Sequence, residues 1–75
     1  MFYKNGKKVK IGDRVKMGGD VGAVVCSIDD GEYSAEYTQE NWESLKKGVL
    51  IKFPKFGLIY YEEELEEDIE PIDRE

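Results

Sequence analysis

Residues 45–61, Leu-Lys-Lys-Gly-Val-Leu-Ile-Lys-Phe-Pro-Lys-Phe-Gly-Leu-Ile-Tyr-Tyr, constrain this chain most. Two runs of β-branched and aromatic residues flank a Pro-Lys-Phe-Gly connection, which is the pattern of a β-hairpin. In the first run Val49, Ile51 and Phe53 share one face, and Leu50 and Lys52 the other. In the second, Leu58 and Tyr60 oppose Ile59 and Tyr61. No other stretch is as apolar, so the remaining strands are expected to pack against this hairpin.

Upstream, Val9, Ile11, Val15 and Met17 alternate with Lys8, Lys10, Arg14 and Lys16, which reads as one buried and one basic face. Asn5-Gly6 predicts a short N-terminal hairpin. Residues 21–28, Val-Gly-Ala-Val-Val-Cys-Ser-Ile, are apolar on both faces and predict a central, bent strand. Gly22 within it permits a bend or a close backbone approach. Residues 32–44 lack alternation; Thr38 can cap one short helix over 39–45, with Trp42 and Leu45 on one side and Gly48 as its stop. Residues 62–67 read as a solvated turn pinned by Leu65. Residues 68–72 make a short last strand that Pro71 confines to an edge. Edges at 2–10 or 68–72 are where two copies could pair.

Five short strands, a long bent second strand and one helical segment predict a mainly β domain. It is a small five-stranded antiparallel SH3-like barrel or rolled sheet with one short helical segment. Seventy-five residues make one domain with a small core. With 40% hydrophobic and 12% aromatic residues the chain is not of the disordered class. No stretch is long and apolar enough for a membrane span, and the first residues carry no apolar signal core, so a cytoplasmic protein with no membrane partner is expected. The single cysteine, Cys26, rules out an internal disulfide and reads as a buried small hydrophobe.

The net charge of −6 is unevenly spread. Residues 1–17 and 46–57 are basic; residues 18–45 and 58–75 are acidic. Either basic strands lie beside acidic segments, or an acidic surface meets a basic partner. The overall sign disfavours nucleic acid. With no histidine, the usual base near neutral pH is missing. Asp29-Asp30-Gly31-Glu32 lacks calcium-loop spacing, and no glycine pattern matches a phosphate loop. Neither catalysis nor a metal or other cofactor is expected.

Two groups read as partner contacts. Tyr33, Tyr37 and Trp42 stand among Glu36, Glu40 and other acids, a combination suited to a basic partner; the rings also suit a cap on the barrel. The run Glu62, Glu63, Glu64, Glu66 and Glu67 would steer association with a basic site, or simply solubilise a turn. Tyr60 and Tyr61 point to opposite faces; Tyr61 is grouped with the contact residues.

Several pieces resemble a known group when taken together: Ile11-Gly12-Asp13-Arg14-Val15, the Gly19–Val25 run, Tyr33-Ser34-Ala35-Glu36-Tyr37, Trp42, residues 45–51 and Gly57-Leu58-Ile59-Tyr60-Tyr61. The chain resembles small acidic bacterial proteins of the toxin-immunity type, found near type VI secretion effectors. The resemblance spans nearly the whole chain. It implies a cytoplasmic protein that binds and occludes a cognate toxin with a basic surface, and it transfers no catalytic motif. Two other readings remain open from the residues: a generic SH3-like adaptor that reads a peptide or a modified lysine, and a nucleic-acid-binding module.

Overall fold

In the computed structural model, which describes residues 1–66 and 68–72, the two apolar runs form the expected hairpin. The strands are β1 (Arg14–Met17), β2 (Asp20–Ser27), β3 (Glu32–Tyr33), β4 (Val49–Phe53), β5 (Gly57–Tyr61) and β6 (Ile69–Pro71). A four-residue helix, α1, spans Gln39–Trp42 and runs into a 3-10 turn over Glu43–Leu45. Ile51 stands opposite Ile59 and Phe53 opposite Gly57. Val49, Ile51 and Phe53 are fully buried and Lys52 is exposed, as alternation requires.

All strand pairs are antiparallel, in the order β5-β4-β2-β1-β6, and β3 adds a second partner to the end of β2. The domain is therefore mainly β. It has six strands where five were expected, because Glu32 and Tyr33 add a two-residue strand. The N-terminal hairpin shrinks to a single bridge between Phe2 and Lys8.

The sheet is rolled. Tyr61 on β5 and Ile69 on β6 sit at opposite ends of the strand order, yet both belong to one buried cluster. In a flat sheet, four strand spacings would hold them about 19 Å apart. Val15, Val24, Ile51, Phe53 and Leu65 fill the space between. The roll stays open: among the described residues β5 and β6 do not pair with each other.

A bulge in β2 gives the sheet its second apolar face. Val24 stands opposite Ile51, but Cys26 stands opposite Leu50, leaving Val25 as the extra residue. Two residues apart on a regular strand, Val24 and Cys26 would share a face. The bulge reverses that parity, so Val24 joins the inner core while Cys26, with Ile28 and Leu50, forms a cluster on the outside of the sheet. Gly22 makes the close approach foreseen for it: a Cβ there would stand 2.6 Å from Phe53 Cδ1.

The helical segment ends at Leu45, as expected, but its α-helical part stops at Trp42 and its cap is Lys46 and not Gly48: Lys46 takes a positive φ (71°), and its N–H donates to Glu43 O at 2.9 Å. Thr38 occupies the N-cap position without a side-chain bond. Gly48 is instead held against β5, where a Cβ would lie 2.5 Å from Tyr61 O. Leu45, expected on the same side as Trp42, is exposed, whereas Trp42 is half-buried. Leu65 is buried and pins the acidic turn. No helix among the described residues is long and apolar enough to cross a membrane.

Candidate functional site

The outer cluster is the base on which the candidate contact surface is built. Cys26, Ile28 and Leu50 are buried there, and Val25, Tyr33, Tyr37 and Trp42 pack over them half-exposed. Tyr33 is held by strand pairing opposite Cys26. The next turn is pinched shut by two backbone bonds, Ser34 N–H to Tyr37 O at 3.1 Å and Tyr37 N–H to Ser34 O at 3.2 Å. That turn brings Tyr37 to Trp42, with ring centroids 6.1 Å apart and planes tilted by 45°. The Cys26 thiol points at Tyr37 O, 3.9 Å away. Burial pushes the Cys26 thiol above its ordinary pKa, which disfavours the thiolate that reactive cysteines use. The three aromatic residues named from the sequence are therefore brought together, as a half-buried roof rather than as freely projecting rings.

The acids of this segment lack the lysine partners that three acids elsewhere have. Glu36, Glu40 and Glu43 are exposed, and none has a cationic partner among the described residues. Glu43 accepts a hydrogen bond from the Gln39 amide Nε2, at 3.4 Å. Three acids elsewhere are compensated by the chain's own lysines. Asp30 pairs with Lys8 at 3.0 Å, Glu64 with Lys4 at 3.5 Å and Glu63 with Lys47 at 2.9 Å. The hydrogen bond and charge of Lys8 pull Asp30 below its ordinary pKa, and those of Lys47 do the same to Glu63. Basic and acidic blocks thus meet within the fold at these pairs.

Of the acidic run, Glu62, Glu63, Glu64 and Glu66 are exposed, and Glu67 lies outside the described residues. Glu66 accepts from the Tyr61 hydroxyl at 3.4 Å. The run touches the aromatic segment's end through Lys47, which follows the 3-10 turn and reaches Glu63. Tyr61 is corrected from contact residue to core residue: it is 8% exposed and packs in the inner cluster. Its strand partner Val49 faces inward, so Tyr61 must as well. The surface tyrosine is Tyr60, whose hydroxyl donates to Lys47 O at 2.6 Å. Val49, Ile51 and Phe53 already marked the inner face in the sequence; the missing piece was the register that aligns Val49 with Tyr61.

Among the described residues no group of three or more Cys, Asp or Glu side chains is arranged to hold a metal ion. Comparison with protein families, with curated proteins and with solved structures returned no match.

Proposed function

We propose that this is a cytoplasmic binding protein of the immunity type, which neutralises a cognate bacterial toxin by covering a basic site on it, without chemistry of its own. One observation carries the reading: Glu36, Glu40 and Glu43, in the segment that carries Tyr33, Tyr37 and Trp42, are exposed and form no ion pair with a lysine or arginine among the described residues. Exposed carboxylates steer a basic partner into place, and half-buried aromatic rings supply the apolar contact that holds it. The acidic run 62–66 takes a supporting part, because Glu63 and Glu64 already face Lys47 and Lys4. Co-expression with the toxin encoded beside it tests the reading. The wild type is expected to rescue growth and to be recovered bound to the toxin. The triple variant Glu36→Lys, Glu40→Lys, Glu43→Lys is expected to lose both while keeping its circular dichroism spectrum. Rescue without recovery of a complex would sink occlusion as the mechanism.

A further inference from the structure

The two edges of the rolled sheet are built differently. β6 has three residues, includes Pro71 and carries Glu70, all of which blunt an edge. β5 has five residues, Gly-Leu-Ile-Tyr-Tyr, with no proline, no charge and no bulge. Among the described residues it pairs on one side only, with β4. Tyr61 C=O faces β4, since its oxygen lies 2.5 Å from where a Gly48 Cβ would stand. Alternation then turns the N–H and C=O of Leu58 and Tyr60 outward, away from β4. The side chains agree: Phe56, Leu58 and Tyr60, on β5 and its turn, are 51%, 39% and 36% exposed. Half of the large exposed apolar side chains of the described residues gather at this one edge.

We propose that β5 is a docking strand for a second copy of this chain, the two β5 strands pairing antiparallel about Ile59 so that two sheets become one. This register sets Leu58 opposite Tyr60 of the second copy, twice by symmetry, and Ile59 opposite itself. It also sets Lys55 opposite Glu63, so each end of the joined strands carries an opposite-charge pair. Glu63 engages Lys47 through Oε2 only, which leaves Oε1 for the incoming lysine. Shifting the register by two residues either way breaks both Lys55–Glu63 pairs, since Lys55 would face Leu65 or Tyr61. The charges flanking the strand therefore select one alignment, and its occupant is the same sequence.

Sedimentation equilibrium of the full chain over a dilution series tests the proposal. The wild type is expected to fall from the mass of two chains to that of one on dilution. Leu58→Glu places carboxylates in the apolar centre of the pairing, while Lys52, opposite Leu58 on β4, accommodates them in the single chain. That variant should stay folded by circular dichroism and weaken the dimer by about tenfold or more. Ile59→Cys should form a disulfide-linked dimer on oxidation, because directly opposed residues that do not bond each other bring their Cα atoms to about 4.5 Å. Wild type cannot, since Cys26 is buried. A wild type that stays at one chain throughout, a dimer indifferent to Leu58→Glu, or an Ile59→Cys chain that fails to cross-link each overturns the proposal.

Discussion

Replacing Gly22 by alanine isolates how tightly the rolled sheet is packed. The added methyl would stand 2.6 Å from Phe53 Cδ1, 2.7 Å from Phe53 Cε1 and 2.8 Å from Lys52 O. Carbon contacts are comfortable at about 3.5–4.0 Å, so all three must lengthen by close to an ångström. Phe53 has little freedom to give way: it is fully buried, and its ring meets Phe56 edge-on at 6.0 Å. Lys52 O is backbone of β4 and can move only by disturbing the ladder to β2. Overpacking of this kind costs about 1–3 kcal/mol. Against it stands the ordinary gain from replacing a strand glycine, about 0.5–1 kcal/mol. Gly22 does not take a left-handed φ, so that gain is available here and backbone strain is not the issue. The net expectation is destabilisation by about 1–2 kcal/mol, set between two opposing terms. For a domain of this size that lowers Tm by about 5–15 °C. Urea unfolding followed by Trp42 fluorescence and by circular dichroism should show a lower midpoint with an unchanged slope. In a Phe53→Leu background the same glycine change should cost less than it does alone, because the ring edge is gone. A Gly22→Ala chain as stable as the wild type, or more stable, would refute the packing argument.

Two further outcomes follow from the two clusters. Leu50 is 1% exposed beneath the aromatic roof, so Leu50→Ala should cost about 2–5 kcal/mol and shift Trp42 emission to the red as the roof loses its floor. That is a large share of the ~4–11 kcal/mol a chain of this length commands. Burial, then the Glu66 carboxylate, pushes the Tyr61 hydroxyl up to about 12 from an ordinary value near 10. The folded chain therefore holds this proton where the unfolded chain has lost it. The associated stability is complete below pH 10 and drains away as pH rises towards 12. Tyr61→Phe should flatten the fall in stability between those pH values, read as Tm against pH; an unchanged alkaline slope would assign the loss to other groups.

The positions of β2, β4, β5 and β6, the core-facing residues of the hairpin, the close approach at Gly22 and the pinning role of Leu65 could be read from the sequence; the two-residue β3 could not. Each rests on local information, on two-residue alternation or on one small residue inside an apolar run. The blocked charge was equally plain, and so was the mixture of tyrosine, tryptophan and glutamate in residues 32–43. Local pattern fixes that Tyr60 and Tyr61 oppose each other, but not which of them is inside. That depended on the pairing of Tyr61 with Val49 across the hairpin. The same holds for Cys26, which alternation assigns to the side of Val24 and a one-residue bulge moves to the opposite face. Which acids keep their charge uncompensated also depends on chain crossings far apart in sequence, such as Lys8 with Asp30 and Lys4 with Glu64. The sequence by itself determined that this chain makes a small, acidic β-domain around the 45–61 hairpin. Only the tertiary structure decided which faces, edges and charges are left for a partner, because register, bulges and ion pairs are set between strands and not along them.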